Sequence, residues 1–186
     1  MPTLFDFATF PIIATQRLRL RQLTHVDADG MMAIFGNPEV LRFLNNPPVD
    51  TSKKAIGMID WLNGNYQHQE GINWGVTLQD DDTLIGMCGV HQWSKSDHHI
   101  DIGYHINPVY WGKGYATEAT RAIITWCFDN LDLHRIQGDC TDGIASEQVM
   151  FKCGFTLEGI WREQCWEHGR FVNIKQFGLL RHEFKR

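Results

Sequence analysis

The stretch that most restricts the fold is an alternating run, Ile100-x-Ile102-x-Tyr104-x-Ile106. It passes through Asn107-Pro108 into Trp111-Gly112-Lys113-Gly114-Tyr115-Ala116-Thr117-Glu118-Ala119. Period-two alternation describes a strand with one buried face, and Asn-Pro is a turn signal that ends it. The following apolar spacing is helical and continues to about Phe128. Strand, glycine turn and helix N-terminus in that order make an anion cradle. The first N–H groups of the helix lack intrahelical partners, and the positive end of the helix dipole faces the same way. Glycine at 112 and 114 lets a bulky ligand approach the main chain without a Cβ between them. The expectation is a site for a phosphate-bearing ligand, against the plainer reading of a ligand-free glycine turn.

Two phosphate motifs do not fit. A P-loop needs four residues between its first Gly and a Gly-Lys-Ser/Thr ending, and Gly112-Lys113-Gly114-Tyr115 has neither the spacing nor the ending. A dinucleotide fingerprint needs a third glycine where this chain has Thr117, and it belongs early in a βαβ unit rather than past mid-chain. The residues Trp111-Gly112-Lys113-Gly114-Tyr115-Ala116 do resemble the Gln/Arg-x-x-Gly-x-Gly/Ala pyrophosphate loop of the GNAT superfamily of acetyl-CoA-dependent N-acetyltransferases, except at the first position. Some forty residues on, Cys153-Gly154-Phe155-Thr156-Leu157-Glu158-Gly159 is similar to a C-terminal segment of that superfamily. Leu133-His134-Arg135-Ile136 and Ala145-Ser146 resemble its fifth strand and the start of its fourth helix. Thr15-Gln16-Arg17-Leu18-Arg19-Leu20-Arg21 and Phe35-Gly36-Asn37-Pro38-Glu39-Val40 resemble its ribosomal-protein N-terminal acetyltransferase branch. The resemblance covers roughly residues 14–182.

That resemblance implies one N-acetyltransferase domain over residues 1–186, with acetyl-CoA as co-substrate and no metal. It places the pyrophosphate at 111–117. The pantetheine arm then lies along Tyr104-His105-Ile106, where backbone groups pair with it and one N–H polarises the thioester carbonyl. Trp111 departs from the family's Gln or Arg and brings no charge to the phosphates. Lys113 is either a helper there or a plain solvated lysine. Many relatives carry a proton-donating Tyr where this chain has Met150. The ribosomal-protein branch looks instead to a Ser at the helix start, here Ser146, whose bland alternative is an N-terminal cap. The branch's Asn three residues earlier is Gly143 here. For the base, alternation puts Asp101, Gly103 and His105 on one strand face and the isoleucines on the other. Asp101 is the best placed, near where other lineages keep a Glu, with His105 and Glu163 as further candidates; each has a structural reading beside the catalytic one.

Length and composition agree with one α/β domain: 186 residues, 43% hydrophobic and 21% charged. Seventeen basic against 22 acidic residues give a net charge of −5, which argues against a nucleic-acid partner and suits a cationic amine. Five scattered cysteines without a C-x-x-C read as reduced thiols of a cytoplasmic protein. Residues 1–14 show neither a basic n-region nor a long apolar run, so no signal peptide, membrane span or membrane partner is expected. Cys88, His91, His98 and His99 are spaced like no zinc motif. Asp80-Asp81-Asp82 reads as a hairpin turn, or less simply as an acidic lip on a substrate groove.

The chain reads as a strand at 17–22, then a helix capped by Thr24 and ending at Phe35. A short helix with Val40, Leu41 and Leu44 follows, then one capped by Asp50 or Thr51. A meander covers 72–78, 84–92 and 98–106. A helix over 114–130, a strand at 134–140, a helix over 145–153 and strands near 155–165 and 171–180 complete it. The many apolar strands call for a mixed sheet with helices on both faces. The acceptor reads as a primary amine, most simply a protein N-terminal α-amine, because weak acid–base help suffices for an amine with a pKa of about 7.7–8.0 but not for lysine at about 10.4. A free amino acid, a polyamine or a drug-like amine is the alternative acceptor. The rival from another class is a non-catalytic acetyl-CoA sensor.

Overall fold

The computed structural model describes residues 5–141 and 144–185. Its strands are β1 (Ile13–Ala14), β2 (Leu18–Gln22), β3 (Ile72–Leu78), β4 (Leu84–Ser94), β5 (His99–Ile106), β6 (Arg135–Cys140), β7 (Thr156–Glu167) and β8 (Arg170–Leu180). Its helices are α1 (Ala28–Phe35), α2 (Pro38–Leu41), α3 (Ser52–Gln67), α4 (Tyr115–Asn130) and α5 (Ile144–Lys152). The strands form one eight-stranded sheet in the order β1-β2-β3-β4-β5-β6-β8-β7. Neighbours are antiparallel except β5 and β6, which run parallel because α4 crosses over between them.

Two apolar clusters cover the sheet, one per face. Ile100 and Ile102 of β5 join Ile123 and Ile124 of α4, Met150 of α5 and Trp74 of β3. On the opposite face Met31, Ile34 and Phe35 of α1 pack with Ile59 and Leu62 of α3 over Met87 of β4. The expected mixed sheet with helices on both faces is what forms.

Element ends moved where side chains compete with the ladder. β2 starts at Leu18 rather than Arg17 because the Arg17 N–H donates to Glu118 Oε1 at 3.0 Å. The helix expected from Thr24 begins as a 3-10 turn, His25–Asp27, before α1. α2 stops at Leu41 and leaves Leu44 outside; it starts where the Asn37 side chain accepts from the Glu39 N–H at 2.9 Å. Thr51, not Asp50, caps α3. β4 extends through Ser94 and β7 through Glu167. β1 escaped notice because two residues show no period.

The first described residues form an aromatic strap. Phe5 packs edge-on against Trp126 with ring centroids 4.8 Å apart, and Phe10 lies 4.8 Å from Tyr66. The strap is pinned by Tyr66 Oη donating to the Thr9 carbonyl and Trp74 Nε1 to that of Pro11, at 2.7 and 2.8 Å. No helix among the described residues is long and apolar enough to cross a membrane.

A buried ion pair ties β2 to α1. Arg21 donates from both terminal nitrogens to Asp27 at 2.8 Å, and the Thr24 N–H donates to Asp27 Oδ2 at 2.8 Å. Burial pushes the Asp27 carboxyl up, but the hydrogen bonds from Arg21 and Thr24 outweigh it and hold its pKa below the usual carboxylate value. Asp82 joins Arg21 at 2.9 Å from the 80–82 turn. The turn's third carboxylate is therefore committed to β2, which leaves the hairpin-turn reading of that acidic run.

Candidate active site

The register of β5 and β6 opens the sheet. Their pairing holds for three rungs, His99↔Arg135, Ile100↔Ile136 and Asp101↔Gln137. Beyond Asp101 both strands continue, β5 to Ile106 and β6 to Cys140, without pairing each other. A wedge results, edged by backbone. The Asn107 N–H donates to the Ile85 carbonyl of the β4 side at 2.9 Å. Strand alternation then sends the polar groups of Gly103 and His105 to β4, and those of Ile102, Tyr104 and Ile106 into the wedge. Of the expected trio, Tyr104 and Ile106 thus offer main-chain groups and His105 does not. The Ile106 carbonyl is taken by Trp111 Nε1 at 2.5 Å. The indole that brings no charge instead braces the end of β5.

The glycine turn lies at the wedge's mouth, immediately after β5. Gly112 and Gly114 have φ of +73° and +82°, where glycine alone is unstrained. A Cβ on Gly112 would meet nothing within 4 Å, so that side is open. Gly114 is the N-cap of α4, and Tyr115, Ala116 and Thr117 form its first turn with N–H groups facing outward. The Lys113 ammonium sits 5.3 Å from the centre of the Tyr110 ring and has no carboxylate partner among the described residues.

The two faces of the wedge differ. On the α4–α5 side, Tyr104 Oη donates to the Ser146 carbonyl at 3.0 Å and fixes the first turn of α5 over β5. Ser146 lies inside that turn, at the third residue of α5. Met150 is 2% exposed, and its Cε lies 2.7 Å from where a Cβ on Gly138 would stand. The methionine packs over the first open rung, which is why β6 carries glycine there. Gly143 falls outside the described residues.

On the α1–α3 side stand Asp101 and His105 of β5, with His91 paired opposite Asp101 on β4. Asp139 has the same alternation on β6. Asp101 is at the apex of the wedge, and its Oδ1 is buried without a hydrogen-bond partner. Burial raises its pKa, against lowering by Gln137 and the nearby His91, His99 and Arg135. The Asp139 carboxyl is also raised, by burial and then by Asp101. His105 packs edge-on against Phe35, centroids 5.1 Å apart, and burial beside His91 lowers its pKa to about 4. The imidazole is therefore neutral at pH 7 and, as a base, no stronger than a carboxylate. Glu163 does not join the site. It is exposed on β7, with β8 and β6 between it and β5.

The thiols and imidazoles of Cys88, His91, His98 and His99 do not converge. Cys88 is buried beside Thr120, whereas His98 faces Asp132. No group of three or more metal-ligating side chains exists among the described residues. Sequence reasoning missed Asp139 and the clasp of Arg17 with Glu118. Asp139 follows from strand alternation, which applied to β6 would have marked it, whereas the clasp is a contact between the residue before β2 and the first turn of α4 that no local pattern announces.

A family model for the acetyltransferase (GNAT) domain matches residues 17–156. The chain is 37% identical over 173 residues to YoaA of Bacillus subtilis (strain 168), named an uncharacterized N-acetyltransferase, covering 92% of this chain and 98% of that one. It is 31% identical over 147 residues, 78% of each chain, to YdaF of the same organism, provisionally named a ribosomal N-acetyltransferase. The solved structure of RimL, the ribosomal L7/L12 alpha-N-protein acetyltransferase, in complex with coenzyme A shares the fold. Its TM-score is 0.84 at 19% identity, over 91% of this chain and 98% of that one. Wedge, glycine cradle and family match agree: the chain belongs to the GNAT acetyltransferase family and is an N-acetyltransferase that uses acetyl-CoA.

Proposed function

We propose that this enzyme acetylates a protein N-terminal α-amine. The observation that carries the reading of the site is the wedge between β5 and β6, which meets the glycine cradle at its mouth. In this reading the cradle at 112–117 holds the pyrophosphate, and the pantetheine arm pairs with Tyr104 and Ile106 in place of a β6 neighbour. The acceptor approaches from the face of Asp101 and Asp139, whose carboxylates draw an ammonium and leave Asp101 Oδ1 to receive its proton. A carboxylate raised by burial is a better base than an ordinary one, yet still a weak one. It suits an α-amine, already partly neutral at pH 7, far better than a lysine. The name carried by YdaF points the same way.

The deciding measurement uses two peptides, one with a free N-terminus and no lysine, the other N-blocked with one lysine. The first is expected to turn over faster between pH 6.5 and 9, with the rate levelling near the α-amine pKa. Faster turnover of the blocked lysine peptide would overturn the acceptor, and turnover of neither would favour a small-molecule amine or a non-catalytic acetyl-CoA sensor.

Ser146 is assigned to the departing sulfur. A thiolate whose parent thiol has a pKa of about 8.5 leaves with modest help, so Ser146→Ala is expected to lower kcat roughly tenfold, less than the roughly 10²–10⁴-fold of a full general acid. The cofactor KM and the melting temperature should barely change. Unchanged kcat with a lower melting temperature would return Ser146 to a structural role.

A further inference from the structure

We infer that Arg17 is a cofactor-positioning residue, which holds the 112–117 turn in its anion-accepting shape. This rests on the reading that the pyrophosphate binds at that turn. Arg17 immediately precedes β2, on the far side of β3 and β4 from the wedge strand β5. Its side chain is 43% exposed, yet all three guanidinium nitrogens are engaged. Nε donates to Glu118 Oε2 at 2.6 Å, Nη2 lies 2.5 Å from the same oxygen, and Nη1 donates to the Lys113 carbonyl at 3.0 Å. The guanidinium also lies 4.6 Å from the centre of the Tyr115 ring. Glu118 is gripped in turn by Thr15 Oγ1 at 2.6 Å and the Arg17 N–H at 3.0 Å.

Two consequences for the turn follow from that geometry. First, a trans peptide points its C=O and N–H in opposite directions. Drawing the Lys113 carbonyl onto Arg17 therefore turns the Gly114 N–H, in the same peptide unit, away from Arg17. Glycines at 112 and 114 would otherwise leave the loop many conformations, and ordering it only when ligand arrives would cost affinity. The clasp orders it beforehand, from a strand already fixed in the sheet.

Second, Glu118 is in the first turn of α4, a favourable place for the helix dipole but a poor neighbour for phosphates. Burial raises its pKa, but Thr15 and Arg17 outweigh that and hold it below the usual glutamate value, so it is charged at neutral pH. The Arg17 guanidinium cancels that charge next to the cradle. Lysine cannot copy this, because one ammonium does not reach both the carboxylate and the Lys113 carbonyl with a planar fork.

The test combines calorimetry with CoA and amide hydrogen exchange of the ligand-free protein. Arg17→Ala is expected to weaken CoA binding by about 10–100-fold, typical of a lost charge-assisted contact set. Exchange at 112–118 should rise more than tenfold while β6 and β8 stay protected. Arg17→Lys should recover only part of the affinity. Adding Glu118→Gln to Arg17→Ala should restore part of it, since the uncovered charge is then gone. Unchanged CoA affinity in Arg17→Ala, full recovery in Arg17→Lys, or exchange rising throughout the sheet would each overturn the inference. Gly114→Asp separates this from the site itself. Undiminished CoA binding there means that the pyrophosphate does not bind the turn. Lost binding there with unaffected Arg17→Ala removes only the role of Arg17.

Discussion

Gly114→Asp is expected to weaken CoA binding by about 100-fold or more while leaving the fold intact. Gly114 is the N-cap of α4 at φ +82°, and a Cβ there would meet only Arg17 Nη2, at an ordinary 3.5 Å. Aspartate is among the few residues that tolerate a left-handed backbone. The left-handed backbone costs an aspartate about 1 kcal/mol, so melting should fall by several degrees while the protein stays folded. The added carboxylate, however, occupies the place of an anion. At about 5 Å and an effective dielectric of about 20, each phosphate charge is opposed by roughly 3 kcal/mol, which is about two powers of ten in affinity. Calorimetry at low ionic strength reads this directly. Undiminished affinity would mean that the cradle does not hold the pyrophosphate.

The largest loss of stability is expected at Asp27. Asp27→Asn leaves the Arg21 guanidinium in a site 12% exposed with only Asp82 opposite. Breaking a buried ion pair by removing one partner costs about 3–5 kcal/mol, and the remaining contact to Asp82 places the expected value at the lower end. The pH dependence follows from the direction of the shift. The folded-state pKa of Asp27 is depressed, so its contribution is complete above the unfolded carboxylate pKa of about 3.9 and disappears as pH falls through the folded value. Urea melts of wild type and Asp27→Asn should therefore differ most at pH 7 and converge in strong acid. A difference independent of pH would mean that packing, not charge, holds this corner.

How much was legible depended on distance along the chain. β3 was bounded correctly at both ends because alternation and flanking turn residues are local signals. The glycine cradle was legible for the same reason. The wedge was not, because it lies in where the pairing of two strands stops, and no residue type announces that. Thr15, Arg17 and Glu118 were in view as parts of two motifs, but they meet across 101 residues of sequence between Arg17 and Glu118. The aromatic strap was not legible, since nothing in Phe5, Phe7 and Phe10 tells that Tyr66 and Trp126 receive them. Glu163 entered as a candidate base on a later strand, and the sheet order sets β6 and β8 between that strand and β5.

A wedge edged by main-chain groups also bears on how such a protein can diversify. Side-chain substitutions leave N–H and C=O groups where they were, so this half of the centre is sheltered from drift as long as the strands keep their register. The opposite half, with Asp101, His91 and Asp139, is written wholly in side chains and enjoys no such shelter. One scaffold can therefore keep a single donor while its descendants exchange acceptors, and two relatives that are alike over most of their length can still differ in what they modify.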